Sequence, residues 1–398
     1  MEAACAAIIQ LNEVVEMDLL HSLDLTSQIS PEERAFLAVI KPLLLGHLKF
    51  GLFAKELGRE SGKSGNSGVQ VTLNRRRARD SRVTGDSQLR RSVFAQVLTS
   101  LSGKLPGLFR RRWGERAWTT TFVGEGGDDN GGLYYEALAE MVEELQCPAE
   151  HVPLLQQTPN TRHEIGEGQG NWMLRPGAPE EACAFLGMLM GLSIRTGAYL
   201  PFDLLRGFWA PLVGESRGLS DVLEMDCLQR GTQMLEADQR ALRAVYRGLE
   251  QVIPAHLLQL WTWRDLQERV CGVATIDVVL LKRNTEYEGG CSATTPVVLY
   301  LWEALETMSN KERQQFLRFV WARSRLPVTE HWSEKFKIHT TGGGDDRLPT
   351  AHTCNFQLDL PRFSSAKVCY DRLMVAMNIA CDIDGDGAEA ARMNWDLE

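Results

Sequence analysis

Hydrophobic positions recur at three- and four-residue steps along most of this chain, and the period predicts helices as far as about Trp321. Leu133, Ala137, Leu138, Met141, Val142 and Leu145 fall on one apolar face. Start signals frame several such stretches. Ser30-Pro31-Glu32-Glu33 combines a capping hydroxyl, proline at the first helical position and acids in the first turn. Thr262-x-x-Asp265 is a capping box for a helix that Gly272 can close, and Ser309-x-x-Glu312 opens another carrying Phe316, Phe319 and Val320. Trp118 to Val123 is β-rich and runs into a glycine-rich turn. Beyond Arg325-Leu326-Pro327 the texture changes. Phe336 to Thr340 and Gln357 to Leu360 read as short strands flanking the polar loop TGGGDDRLPTAHTCN. Ala366, Cys369, Leu373, Ala376, Met377 and Ala380 then mark an amphipathic helix starting near Ser364 or Ser365.

At 398 residues and 44% hydrophobic content the chain can hold two or three cored domains. A net charge of −9 argues against nucleic acid and anionic membranes as partners, since phosphates would be repelled, and is compatible with a basic protein partner. The nine cysteines contain no CxxC pair and no Cys/His cluster with zinc spacing. Scattered in this way they suit a reducing compartment, the cytoplasm or nucleus, better than a disulfide framework. The first residues lack the basic segment of a signal peptide, and stretches such as AFLAVIKPLLLG are too short to span a bilayer. No cofactor, no bound metal and no membrane insertion are expected.

Composition shifts divide the chain. Residues 1–57 form a helical N-terminal extension, and 58–91 a flexible basic linker, small-residue-rich from Gly58 to Gly68 and arginine-rich from Arg75 to Arg91. Three motifs break down on inspection. GRESGKS has three residues between its glycines where a phosphate loop needs four. GEGGDDNGG, Gly124 to Gly132, would set Glu125, Asp128 and Asp129 against phosphates. Asp382-Ile383-Asp384-Gly385-Asp386-Gly387 begins like a calcium loop but has Met393 at the twelfth position, so it reads as an acidic solvated tail.

Leu348-Pro-Thr-Ala-His-Thr-Cys354 places a cysteine in a polar loop just before a strand, whereas Cys369 falls on the inward face of its helix. A nucleophilic thiol needs partial exposure and a stabilised thiolate; the loop offers exposure and free amides, and His352 could share a face with Cys354 on extended backbone. By itself the pairing leaves catalysis and simple structure both open. A cysteine-protease reading would need a base and an oxyanion hole that no local motif supplies.

Leu348 to Ser365, LPTAHTCNFQLDLPRFSS, closely resembles the active-site signature of HECT-type ubiquitin-protein ligases. Further similarity follows in family order: Phe122 to Gly132, Gly187 to Gly214, Ile253-Pro254, Asp265 to Gly272, Ile276-Asp277, Leu301-Trp302-Glu303, Phe316 to Phe319 and Ser324 to Pro327. Val71 to Arg75 and Ser92 to Gln96 resemble the large HERC-like branch. The resemblance implies an α+β, bilobal fold. Its parts are a mainly helical N-lobe over 92–321, a hinge at 322–329, and a small α/β C-lobe over 330–398 that ends in the acidic tail. It also implies two-step covalent catalysis. Cys354 accepts ubiquitin as a thioester from a conjugating enzyme, then yields it to a lysine of a protein substrate. His352 and Thr353 would shape the loop, and Asp359 would orient or deprotonate the lysine.

Two departures bear on this. Asn355-Phe356 follows the cysteine, where the family has an aromatic first and asparagine second; the swap should send the two side chains to opposite faces. Near 227–252 the subdomain that docks the conjugating enzyme is shortened, Asp226 running through one stretch to Ile253. A second function class follows from that loss: a HECT-derived scaffold that binds ubiquitin or a substrate without being charged.

Overall fold

The computed structural model describes residues 2–15, 31–59, 68–104, 106–124, 132–227, 237–321, 323–328, 332 and 334–386. Both glycine motifs lie largely outside this set, at 60–67 and 125–131. The chain divides into two compact units, Met1–Asp129 with Glu140–Cys271, and Asn130–Ala139 with Gly272–Glu398.

The first unit opens with helices α1 (Glu2–Val14), α2 (Pro31–Ile40) and α3 (Gly46–Arg59), then strand β1 (Gln70–Leu73), α4 (Arg75–Thr84), α5 (Val93–Leu101) and β2 (Thr119–Phe122). Helix α6 (Gly132–Leu145) crosses between the two sets of residues. β3 (Leu155–Gln157), α7 (Pro159–His163), β4 (Trp172–Leu174), α8 (Glu180–Thr196), α9 (Arg206–Leu212) and α10 (Leu219–Met225) follow. The unit closes with α11 (Gln239–Glu250), α12 (Ala255–Leu258) and α13 (Trp263–Cys271). β1 lies parallel to β2, and β3 antiparallel to β4. Helix α8 is buried on all sides, which makes it the axis of this unit. Against it lies α11, so close that a Cβ on Gly187 would meet the Val245 carbonyl oxygen at 1.9 Å, and one on Gly248 the Ala184 carbonyl oxygen at 1.8 Å.

The described residues 41–57 of the expected N-terminal extension are tied into this body. Lys41 donates to the Val213 carbonyl, Lys49 pairs with Asp265 at 2.6 Å, and Phe53 stacks on Trp261. The buried Arg195 guanidinium reaches the carbonyls of Leu57, Arg111 and Val252. The expected flexible linker is corrected over its described part, 68–91. Asn74 caps α4 and exchanges hydrogen bonds with the Gln96 side chain, while Arg75 lies over the Phe122 ring. Asp86 gathers the amides of Arg90, Arg91 and Ser92 together with the Ser92 hydroxyl. The basic run therefore sits beside one short strand and within one well-capped helix, ordered by the Asn74 and Gln96 amides, the Asp86 carboxylate and the pairing of Arg75 with Glu140.

A buried carboxylate caps α5 from a distance. Glu144 accepts the amides of Val93 and Phe94 at 2.8 and 3.0 Å. Burial pushes its carboxyl up to about 7 against the pull of those amides; Glu140 adds to the rise and Arg82 opposes it. Its proton is held more tightly folded than unfolded. The stabilisation is complete below the ordinary value of 4.5 and is lost as the pH climbs through about 7. The urea midpoint of the chain is expected to fall between pH 5 and pH 8. Glu144→Gln should flatten that slope, and an equal slope in the variant would remove Glu144 as its source.

The second unit contains α14 (Val278–Arg283), β5 (Thr285–Glu288), α15 (Pro296–Thr307), α16 (Asn310–Trp321), β6 (Phe336–Thr340), β7 (Thr350–His352), β8 (Gln357–Leu360) and α17 (Ala366–Asp386). Its sheet runs β5-β6-β8-β7, parallel except for the edge strand β7. Leu301, Trp302, Phe316, Val320 and Trp321 share one core with Phe336, Ile338, Phe356, Leu358, Cys369 and Leu373. Ser365 starts α17 by accepting the Val368 and Cys369 amides, and Tyr370 then donates to Glu312, the acid of the Ser309 capping box.

This arrangement corrects the expected division at 322–329. β5 pairs with β6 from Thr285↔Phe336 to Glu288↔His339, and Val273 and Leu326 exchange backbone hydrogen bonds at 2.9 and 3.2 Å. Residues 323–328 thus lie within the second unit; the chain leaves the first unit at Cys271. The described strands after residue 334 do not form a body alone, because they share one core with the apolar faces of α15 and α16. The backbone from Asp382 to Asp386, where the expected acidic tail begins, continues α17 as helix. Residues 387–398 lie outside the described set.

Candidate active site

At the β7 edge of the sheet the chain makes a tight change of direction. After His352 it turns through a 3₁₀ segment, Thr353–Asn355, in which the Thr353 carbonyl accepts the Phe356 amide, and re-enters the sheet as β8. Cys354 lies in the middle of that turn. Its side chain is outside what the structure describes. The expectation that extended backbone would align His352 with Cys354 is therefore replaced by a turn between them.

Phe356 makes the turn possible. It adopts left-handed backbone, φ 48°, although it carries a large side chain. That conformation costs about 1–2 kcal/mol relative to right-handed backbone. The ring is fully buried and stacks on Trp321 at 3.9 Å and 3°, with Phe336 and Trp332 beside it. Burial on that scale, with the added geometry of aromatic pairs, outweighs the strain. Asn355 is exposed, so the swapped pair does point to opposite sides, one to solvent and one to the core.

The register brings the sequence-predicted polar residues together. β7 and β8 set Thr350 opposite Asp359 and His352 opposite Gln357. His352 Nε2 lies 3.2 Å from Asp359 Oδ2, and Gln357 donates to Asp359 Oδ1 at 2.7 Å. On the other side β6 sets His339 opposite Asp359, with Nδ1 at 3.5 Å from Oδ1. Burial works to raise the Asp359 carboxyl. The hydrogen bonds from Gln357 and His352 and the charges of the two imidazoles outweigh it and hold the group below its usual value. His352 is half-exposed, and Thr353 is exposed at the turn. His339 and Gln357 were not singled out in the sequence. Once β6 and β8 are laid side by side, the period of two puts His339 directly across from Asp359, and that was the available signal.

A second anchor holds the loop. Asp345 accepts the Ser364 amide at 2.8 Å and the Ser364 hydroxyl, which keeps its carboxyl below the usual range and ties the glycine-rich segment to the start of α17. Other cysteines are set apart by burial, which pushes the Cys183 and Cys369 thiols up to about 12. Among the described residues no group of three His, Cys, Asp or Glu side chains could hold a metal, and no helix is long and apolar enough to cross a membrane.

The turn that carries Cys354 thus joins two strands on which Asp359 holds the half-exposed His352 imidazole. Residues 230–383 match the HECT-domain (ubiquitin-transferase) family model. The chain is 31% identical over 413 aligned residues to the E3 ubiquitin-protein ligase HERC2 of Mus musculus, covering 87% of the chain and 8% of that protein. It is 34% identical over 152 residues to HUWE1 of Mus musculus, 36% of the chain and 3% of that protein. To UPL1 of Arabidopsis thaliana it is 31% identical over 162 residues, 39% of the chain and 4% of that protein. The chain belongs to the HECT family, on its HERC-like branch. It spans less than a tenth of the length of these relatives. The HERC2 alignment is longer than the whole 398-residue chain, so that relative carries residues this chain lacks.

Proposed function

We propose that this chain is a ubiquitin-protein transferase that works through a thioester on Cys354. The single observation that carries the reading is the placement of the Cys354 turn against the His352–Asp359 pair, inside the residues that match the HECT family. In the first step the Cys354 thiolate attacks the carbonyl of a ubiquitin thioester on a conjugating enzyme, the S–C bond to ubiquitin forms, and the donor thiolate leaves. In the second a substrate lysine displaces Cys354, leaving an isopeptide bond. One thioester replaces another in the first step, so the protein contributes mainly position. Thr353 closes the turn through its carbonyl, and His352 and Asp359 serve the second step. Partners are ubiquitin, a conjugating enzyme and protein substrates. The scattered cysteines favour the cytoplasm or nucleus.

A second reading, a HECT-derived scaffold that binds ubiquitin or a substrate and cannot be charged by a conjugating enzyme, draws on the segment between Asp226 and Ile253. Its described part is one helix, α11, built into the core against α8. The two readings part in one experiment. The chain is offered ubiquitin from a panel of charged conjugating enzymes and, separately, as a preformed thioester of a small thiol. A reductant-sensitive adduct from either donor supports the transferase. Ubiquitin binding without an adduct from either one overturns it in favour of the scaffold.

A further inference from the structure

Asp359 is approached from both strands that flank β8, and the contact from β6 has no place in the scheme above. The His339 ring sits across from Asp359 with Nδ1 at 3.5 Å, on the oxygen that Gln357 also bonds, while His352 takes the other oxygen. The ring is where it is because the backbone after β5 passes directly over it. Gly289 has φ +67°, and a Cβ there would stand 2.1 Å from His339 Cδ2 and 2.3 Å from Nε2. A side chain at that point would drive the imidazole off Asp359 or force the loop away. Parallel register (Glu288↔His339↔Asp359) and one glycine thus fix a row of groups that ends at His352.

We infer that His339 is a positioning residue for the second half-reaction, acting through Asp359, and that the proton acceptor is His352 rather than Asp359. The inference rests on the proposed thioester at Cys354. Gln357 is bonded to one oxygen, His352 lies 3.2 Å from the other and the His339 ring is 3.5 Å away, so the carboxylate is held in place and serves as an orienter. With Nε2–H donated to Asp359, His352 presents Nδ1 with a free lone pair on a half-exposed ring. The incoming lysine ammonium gives one proton to that nitrogen. The amine then adds to the thioester carbonyl, the N–C bond forms, and the C–S bond breaks. One of the two protons still on the nitrogen leaves with the sulfur as the Cys354 thiol, and the other stays on the isopeptide N–H. His339 and Gln357 keep Asp359 from turning away during this exchange.

The full chain is charged on Cys354 with ubiquitin from its small-thiol thioester, excess donor is removed, and discharge to free lysine is followed in a single turnover. His339→Leu is expected to slow discharge about tenfold more than it slows charging. His339→Gln, which keeps a donor of similar reach, should restore part of the loss. In an Asp359→Asn background His339→Leu should add nothing, because its effect passes through the carboxylate. Equal losses in charging and discharge, or losses that multiply with Asp359→Asn, would overturn the assignment. The uncharged chain supplies an independent reading. With ¹⁵N-labelled histidine rings, the His352 ring-nitrogen signals should move in His339→Leu and stay still when Asp359 is already asparagine. Unmoved His352 signals in His339→Leu sink the inference whatever happens at Cys354, whereas failure of the wild-type chain to charge counts against the thioester alone.

Discussion

Cys354→Ala is expected to abolish the ubiquitin adduct, and Cys354→Ser to convert it into an oxygen ester that survives reductant and is split by mild alkali. The reason lies in the nucleophile. A free thiol with a pKa near 8.5 is a few per cent thiolate at neutral pH, whereas a serine hydroxyl is essentially un-ionised there, so the serine variant should charge more slowly by orders of magnitude. Gel electrophoresis of the charging reaction, with and without reductant, reads all three proteins at once. Among the cysteines whose side chains are described, Cys147, Cys227 and Cys291 are partly exposed, while Cys183, Cys271 and Cys369 are buried. A reductant-sensitive adduct that persists in Cys354→Ala would move the chemistry to another cysteine.

Phe356→Ala should destabilise the second unit by about 3–5 kcal/mol, the range for removing a fully buried phenylalanine. The ring touches Trp321, Trp332 and Phe336 at once, so its loss opens the centre of the aromatic cluster. Alanine cannot recover the left-handed strain, since it also carries a Cβ. Phe356→Asn tests the two contributions separately. Asparagine accepts left-handed backbone more readily but leaves the same void and places an amide in it, so it should be no better than alanine. Urea denaturation followed by tryptophan fluorescence reports both. A loss below about 1 kcal/mol in Phe356→Ala would mean that the turn is held by its hydrogen bonds and not by the stack.

What the sequence made legible was local. The strands at Phe336–Thr340 and Gln357–Leu360, the capping boxes at Thr262 and Ser309 and the start of α17 after Ser365 all appear as expected, because each is written in neighbouring residues. β5 was missed because its sequence, TEYE, is short and has one apolar residue; it is a strand through its pairing with β6. That omission moved the boundary of the small unit from Gly272 to residue 330. β1 and α4 were hidden by a run of arginines whose charges say little about the Asn74 cap or the Asp86 cluster. In the site, Cys354, His352, Thr353 and Asp359 came with the family signature. His339 and Gln357 needed the register, which couples positions 20 residues apart or faces that local patterning does not assign.

The segment on either side of residues 228–236 is fastened at both ends. Before it, buried Asn160 accepts the Cys227 amide at 2.9 Å and donates to the carbonyls of Glu167, Leu223 and Glu224. After it, Asp238 grips Arg217 through two hydrogen bonds of 2.7 and 3.1 Å, and Arg217 also holds the Gly207 carbonyl. The first clamp closes on its own side, while the second reaches across the interval and ties residue 238 back to residue 217. Loop length enters closure entropy only logarithmically, so a chain passing between two such clamps can gain or lose many residues with little change in the body that bears them. Here is a point where sequence can be inserted or deleted by evolution, or by a designer, without asking the core for permission.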